Sequence, residues 1–432
     1  MDFIEKRLLE CAVHVPKILI PTNKSDHISW PGFPAVNDDL NASLLAPLNA
    51  GNLMNSKDYS SDLENELNLP ERKRYVRTYK NMKRAVRSGF LTEYKGFILT
   101  RRINKSGVER YGLLILLDYE DYLSDNPIIA VSREYNRDIA TAQADFMTNA
   151  IFDLQYAQAL IEDQEATLIE PLVASTFHFK KIFSFNHPVF GIYEGFLIDT
   201  PQHFTLISNA FAKIKAKSIK NNKSLFLVHE GVESFESGLI HWNRLKEQYG
   251  NRLYRYNPAR FHLVELFNIY SPDINLIPYN VLVKDISHDK LVTQFRAKEK
   301  IKVETLSSVR ELHEAILKRS EKYGSVCYGL ICDDVSYLVT FRTSESDIGI
   351  INIQDTLAKL MQENEHSVSY HINISEMLIE YAEGKHTAII MPPIKKDTFF
   401  DNIAKHGRLN RHAYCHDIPA NLRFLFEARF LQ

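Results

Sequence analysis

The stretch Leu225-Phe226-Leu227-Val228-His229-Glu230-Gly231-Val232-Glu233-Ser234-Phe235-Glu236 decides how this chain is read. Its four opening apolar residues are too short a run for a helix and read as a strand buried on both faces. Gly231 breaks the run, and a helical pattern follows from Glu233 to Tyr249. A strand that ends in a glycine turn opening a helix presents backbone N–H groups and side chains at a sheet end open to a ligand. Glu230 and Glu233 are carboxylates placed there to bind a metal or to act as a general base. The competing reading is structural. Ser234 and Glu236 fall in the first turn, where capping and acids facing the helix dipole stabilise the helix.

Working outward, strand patterns alternate with helical ones. Upstream, Asn41 to Pro70 is rich in Asn, Ser, Asp and Leu without a sustained period, and reads as a long irregular arm. A helix is expected over Glu71–Ser88, with Gly89 at its C-cap, then strands Gly96–Arg102 and Tyr111–Asp118 about an Asn104–Gly107 turn. Tyr156–Ile161 reads as a strand and Gln164–Glu170 as a short helix stopped by Pro171. Strands Thr176–Phe185 and Val189–Ile198 precede a helix over Gln202–Lys217.

Downstream come strands Phe261–Tyr270 and Ile277–Val283. From about Asp285 a second series begins, with helices to Lys298, over Ser307–Lys322 and over Ile353–Gln362, and with paired strands Val326–Cys332 and Ser336–Arg342. Mixed pairings with crossover helices imply an α/β or α+β fold. Three segments are expected: an arm over 1–70, a central α/β domain over 71–285, and a C-terminal α/β portion over 286–432.

Composition excludes several chemistries. With 16 glycines in 432 residues, no two are separated by a single residue, so the dinucleotide fingerprint is missing. Gly107 with Gly112 and Gly324 with Gly329 have P-loop spacing, but Leu113 and Leu330 stand where the phosphate lysine belongs. The G-x-S-x-G and H-E-x-x-H motifs are both missing.

Lys+Arg number 52 against 54 Asp+Glu, so no overall basic field drives nucleic-acid binding. One basic stretch, Arg72 to Arg87, holds five Arg and three Lys and reads as the solvated face of an amphipathic helix. The four cysteines are scattered, which suits a reducing compartment. Acids at Asp2 and Glu5 argue against a signal peptide, and Leu113 to Leu117 is too short to span a bilayer. A cytoplasmic protein is expected, with neither membrane nor nucleic acid as partner. Cys327 and Cys332, at odd separation in a strand, read as core thiols. His406, His412, Cys415 and His416 cluster near the C-terminus; His412, Cys415 and His416 are weak candidates for a structural zinc site, and no such metal is expected.

The residues from Ser224 to Ser287 resemble the bacterial family known as domain of unknown function 1015. Its members have an apolar strand, then Asp-Gly-His-His and an aromatic-Glu pair opening a helix. Gly231, Phe235-Glu236, Asn268-Ile269 and Pro278 match that order. Val15–Pro21, Tyr111–Tyr122 and the run Met391-Pro392-Pro393-Ile394-Lys395-Lys396 resemble further parts of the family.

The resemblance implies a core like that of the ParB-like and free-serine-kinase group. It also implies nucleotide binding or phosphate transfer to a small hydroxyl compound such as serine. Matched residue by residue, the motif's Asp is Glu230 and its Gly is Gly231, while its two His are Val232 and Glu233. Glu134 matches a Glu whose His partner is here Arg133, Asp38 matches an N-terminal Asp, and Lys395 or Lys396 matches the lysine of the Met-Pro-Pro run.

An active enzyme would use Glu230 or Glu134 as base or metal ligand, with Glu233 beside them. Gly231 would cradle phosphate beside Ser234 and Asp38, Lys395 or Arg260 would clamp the anion, and ATP or ADP with Mg2+ would be cofactors. The loss of both histidines favours instead a diverged scaffold with a reduced or lost active site, binding a small molecule or a protein partner.

Overall fold

A computed structural model of the chain describes residues 3–28, 30, 71–155, 157–188, 191–250, 257–284, 301–320, 325–342, 368–384, 386–415 and 425–431. Most of the expected arm, the helices expected to Lys298 and over Ile353–Gln362, Asp38 and His416 lie outside the described residues. The fold is mixed α/β. Its contacts divide the chain into two units: Met1–Val131 with Tyr135–Ile274 and Pro419–Gln432, and Ser132–Glu134 with Asn275–Ile418.

The larger unit opens with α1 (Phe3–Leu9), β1 (Val13–His14) and β2 (Lys17–Pro21), then α2 (Glu71–Arg87), which stops at Gly89 with φ +68°. Strands β3 (Leu91–Lys95), β4 (Phe97–Ile103) and β5 (Glu109–Asp118) follow, with the short α3 (Tyr119–Tyr122) and β6 (Ile129–Val131). Next come α4 (Arg137–Met147), β7 (Phe152–Asp153), β8 (Gln158–Ile161) and α5 (Ile169–Ala174). The series ends with β9 (Lys180–His187), β10 (Gly191–Ile198), α6 (Pro201–Lys220), β11 (Phe226–Glu230), α7 (Val232–Tyr249) and β12 (Phe261–Asn268).

Among the described residues these build a nine-stranded sheet ordered β6-β11-β8-β12-β5-β4-β10-β9, with β1 added beside β5. Strands β11 and β6 run parallel, as do β12 and β8, while β11–β8 and β12–β5 are antiparallel. The two faces of this sheet hold separate cores. One packs Leu113, Ile115, Ala159, Val228, Val264 and Leu266 under residues of α1, α5, α6 and α7. The other packs Ile98, Leu114, Leu116, Phe183 and Leu263 under α2, β2, α4 and residues 425–431.

Two sequence readings change here. The helix expected over Gln164–Glu170 is found at Ile169–Ala174, and Pro171 sits inside its first turn, where a missing N–H breaks no intrahelical bond. Helix α4 was not anticipated, although Asn136 caps it by accepting from the N–H groups of Asp138 and Ile139.

The smaller unit holds β13 (Ile277–Pro278), β14 (Asn280–Lys284), β15 (Ile301–Leu306), α8 (Val309–Ser320), β16 (Ser325–Cys332) and β17 (Val335–Arg342). It continues with β18 (Val368–His371), α9 (Ile374–Tyr381), β19 (His386–Ile390), α10 (Phe399–His406) and β20 (Tyr414–Cys415). Six strands form an antiparallel sheet ordered β15-β17-β16-β19-β14-β18, and β13 pairs with β20. Asp333 and Asp334 both take positive φ, +48° and +60°, in the two-residue turn that joins β16 to β17. Two left-handed residues in a row match the twist of the paired strands, and Asp tolerates that region better than most. Leu312 and Ile316 of α8 pack with Cys327, Ile331, Leu338 and Met377 over one face of this sheet.

Candidate functional site

The junction of β11 and α7 is where the polar groups of the larger unit gather. Gly231 takes φ 66°, ψ 34°, a left-handed conformation that costs other residues roughly 1–2 kcal/mol. It stands at the N-cap of the 18-residue α7 and, having no side chain, caps none of the first-turn N–H groups.

Just before it, the pairing of β11 with β8 slips. Val228 pairs with Ala159, but Glu230, not His229, pairs with Gln158. Two residues of β11 therefore face one of β8, which is a β-bulge. Without it, Val228 and Glu230 would lie on the same face. With it, Val228 stays in the α7-side core while Glu230 shares the opposite face with Gln158.

That face carries a row of polar groups across the sheet. Gln158 pairs in register with Glu265, and Glu265 with Leu114. The Thr100 hydroxyl donates to Glu265 Oε1 at 2.6 Å, and Gln158 Nε2 approaches Glu265 Oε2 at 3.5 Å. Gln158 is fully buried and its Oε1 has no hydrogen-bond partner. Glu230, Glu265 and Thr100 are each no more than 6% exposed.

The row depends on one glycine. A Cβ on Gly112 would sit 2.7 Å from Glu265 Cγ and 2.8 Å from Phe267 Cε1, so the absent side chain is what lets Glu265 lie across β5. Beside the row, Arg110 Nε donates to Asp273 Oδ2 at 2.8 Å and the guanidinium lies over the Phe267 ring.

The first turn of α7 is held by its own contacts. Val232 is fully buried in the core. Glu233 Oε1 accepts from the N–H of Asn136 at 3.2 Å, and Glu236 Oε1 accepts from the Tyr122 hydroxyl at 3.0 Å. The Tyr119 hydroxyl lies 3.0 Å from the Phe235 carbonyl and 2.6 Å from His262 Nδ1. It fits because residue 238 is glycine, whose added Cβ would stand 2.0 Å from that oxygen. Burial raises the Tyr119 pKa well above the usual tyrosine value. Further along the helix, burial and then the Arg244 charge lower His241 to about 4.

Of the residues singled out from the sequence, Glu230, Gly231, Glu233 and Ser234 meet at this junction. Arg260 lies elsewhere in the same unit and ties its guanidinium to Asp118, with Nε–Oδ1 at 2.7 Å and Nη2–Oδ2 at 2.5 Å. Glu134 and Lys395 belong to the smaller unit, where both are exposed. The Glu134 N–H donates to the Leu409 carbonyl at 2.8 Å.

Cys415 is buried in β20 as a free thiol, and the His412 ring stacks on Tyr370 with centroids 4.4 Å apart. Cys11, Cys327 and Cys332 are likewise free and buried. Among the described residues, no three His, Cys, Asp or Glu side chains are grouped to hold a metal ion, and no helix is long and apolar enough to cross a membrane.

Sequence reasoning missed Thr100, Gln158 and Glu265. The one available signal was Glu265 itself, a lone acid inside the apolar run Phe261–Phe267.

Comparison with known proteins adds the following. A family model described as "Protein of unknown function (DUF1015)" matches residues 26–368. No curated protein matches the chain. Among solved structures, it is similar to free serine kinase in complex with AMP, with 9% identity and a TM-score of 0.38 over 74% of this chain and 92% of that one. A mutant free serine kinase with ADP gives 9% and 0.39 over the same shares. A conserved hypothetical protein from Pyrococcus furiosus gives 8% and 0.37, over 73% of this chain and 94% of its own.

Proposed function

Because this chain belongs to the DUF1015 family, we propose that it is a diverged member that binds a small polar molecule at the β11–α7 junction without turning it over. The observation that carries this reading is the fate of the two positions matched to the motif's histidines. Val232 is buried in the hydrophobic core, and the Glu233 carboxylate accepts the backbone N–H of Asn136. Neither is a proton carrier free to serve a substrate, and general acid–base chemistry needs such a group within hydrogen-bond reach.

The chemistry around Gly231 also argues against a nucleotide. Glu233 brings a carboxylate to the positive end of α7, the place a phosphate would occupy. Arg260, the cation expected to offset that charge, is bound to Asp118. ATP or ADP without a bridging cation is therefore a poor fit. Glu230, Glu265 and the unpaired Gln158 Oε1 are hydrogen-bond acceptors, which suit a ligand rich in donors, such as an amine or a hydroxyl compound. Four free, buried thiols favour the cytoplasm as its compartment.

A second reading, phosphate transfer from a nucleotide to a hydroxyl compound such as serine, is favoured by the place of Gly231 at the start of α7, where it sets no side chain of its own over the first-turn N–H groups. Thermal unfolding with serine, ethanolamine, ATP, ADP and CTP, each with and without Mg2+, separates the two. A ligand at 100 times its Kd adds about 2.7 kcal/mol of apparent stability. Stabilisation by the amine or hydroxyl compounds, with none by nucleotides, is the expected result. Steady formation of ADP from ATP in the presence of serine would establish the second reading instead.

A further inference from the structure

Helix α2 carries a feature unrelated to that junction. Its 17 residues hold eight cations and one carboxylate. Taking these from the chain totals of 52 and 54 leaves 44 Lys+Arg against 53 Asp+Glu, so a strongly basic helix sits on an otherwise acidic protein. One side of the helix is internal: Thr78, Met82 and Ala85 are buried, the last two in the core of the larger unit. The other side exposes Val76, Lys80, Lys83, Arg84 and Arg87. Val76, Lys80, Lys83 and Arg87 recur at the spacing of one helical stripe. Among the described residues, none pairs with Lys80, Lys83 or Arg87.

From Lys80 to Arg87 the rise is about 10 Å, comparable to the Debye length at physiological salt, so these charges act together. We propose that this face of α2 docks an acidic, amphipathic helical segment of a partner protein. Such a segment would place carboxylates opposite the cations and one apolar side chain on Val76, which is 47% exposed at one end of the stripe.

A nucleic acid fits less well, for two reasons. Its charge extends beyond the stripe, where the remaining 53 acids outnumber 44 cations and repel it. One of the two aromatic rings of α2 is also engaged. Tyr79 stacks on Phe146 and donates its hydroxyl to the Phe146 carbonyl at 2.7 Å, and burial pushes its pKa up to about 12.

The test uses the full chain and a fluorescent helical peptide of about 16 residues, with Glu on one face at every third or fourth position and a single Leu among them. Binding that weakens about tenfold or more between roughly 50 and 200 mM salt is expected. The triple variant Lys80→Glu, Lys83→Glu, Arg87→Glu should lose at least about tenfold in affinity, while its melting temperature stays that of the parent, because these side chains are exposed. A milder variant, Lys80→Gln with Arg87→Gln, serves if the triple variant does not fold.

Undiminished binding by the folded variants overturns the proposal. So does tighter binding of a single-stranded RNA of equal charge, or equal affinity for a scrambled peptide of the same composition. The junction at Gly231 plays no part in this surface, so a small-molecule screen that fails leaves this result unaffected.

Discussion

Both faces of the nine-stranded sheet carry an apolar core, and a buried polar row crosses one of them. On the face under α7, strands β5, β8 and β12 offer Ile115, Ala159, Val264 and Leu266. On the other face the same strands set Gly112, Gln158 and Glu265 beside Leu114, Leu116 and Leu263, and Thr100 from β4 and Glu230 from β11 join the polar row. Burying polar groups adds no hydrophobic stability and costs free energy wherever a partner is imperfect. A sheet built only for stability would carry aliphatic side chains on both faces. That cost sets the polar row apart from the aliphatic residues around it.

If that division is right, substitutions on the two faces should diverge. The largest effect is expected from Leu266→Ala on the apolar face, a loss of about 2–5 kcal/mol of unfolding free energy in denaturant titration. A loss below about 1 kcal/mol would mean that this face is loosely packed and the contrast is weaker than drawn.

Next is the acid response of His241, on the helix that covers the apolar face. Its folded value of about 4 lies below the ordinary 6.5, so the unfolded chain binds more protons between those values. Stability should therefore fall as pH drops from about 6.5 to 4, by about 3 kcal/mol from this group alone. Measuring stability against pH for the parent and for His241→Leu checks it, since the variant should show a flatter acid limb.

In the polar row, Glu265→Ala removes the acceptor that Thr100 and Gln158 share and leaves the Thr100 hydroxyl only the Gly112 carbonyl, which should cost about 1–3 kcal/mol. The coupled replacement Glu265→Leu, Gln158→Leu, Thr100→Val should cost less than Glu265→Ala, or stabilise the unit, while abolishing any small-molecule thermal shift. Should the triple replacement bind ligand as the parent does, the row has no functional role.

The smallest effect belongs to Gly231→Ala, at about 1–2 kcal/mol for a left-handed residue with a side chain. Ligand affinity should fall with it if the cap is part of the site, and stay constant if it is only a turn.

How much of this was legible in the sequence differs between the same regions. The strand–glycine–helix junction could be read because an apolar run, a glycine and a helical period are local signals. The fold class followed from alternating strand and helix patterns, and the Glu71–Ser88 helix stood within one residue of its boundary at Arg87.

The polar row was not legible, because it is assembled from five strands far apart in sequence. Its decisive step, the bulge that moves Glu230 to the face of Gln158, is a property of pairing that no residue type announces. Pro171 misled for a related reason. A proline stops a helix or starts one depending on which turn it occupies, and the sequence does not say which.

The larger unit is also completed late. The chain leaves it at Ile274 and returns at Pro419, and the returning segment supplies interior parts. Trp30 donates its indole N–H to the Phe426 carbonyl at 2.8 Å, Leu19 bridges to Ala428, and Arg429 reaches Gln155 and the carbonyls of Phe261 and Pro258.

During synthesis, the core that receives Leu425, Phe426 and Ala428 stays uncovered until the ribosome has added about 150 more residues. At ~5–20 residues per second that interval is roughly 8–30 s. A nascent chain with an open apolar face for so long is exposed to aggregation, and the order of translation becomes part of how this protein folds.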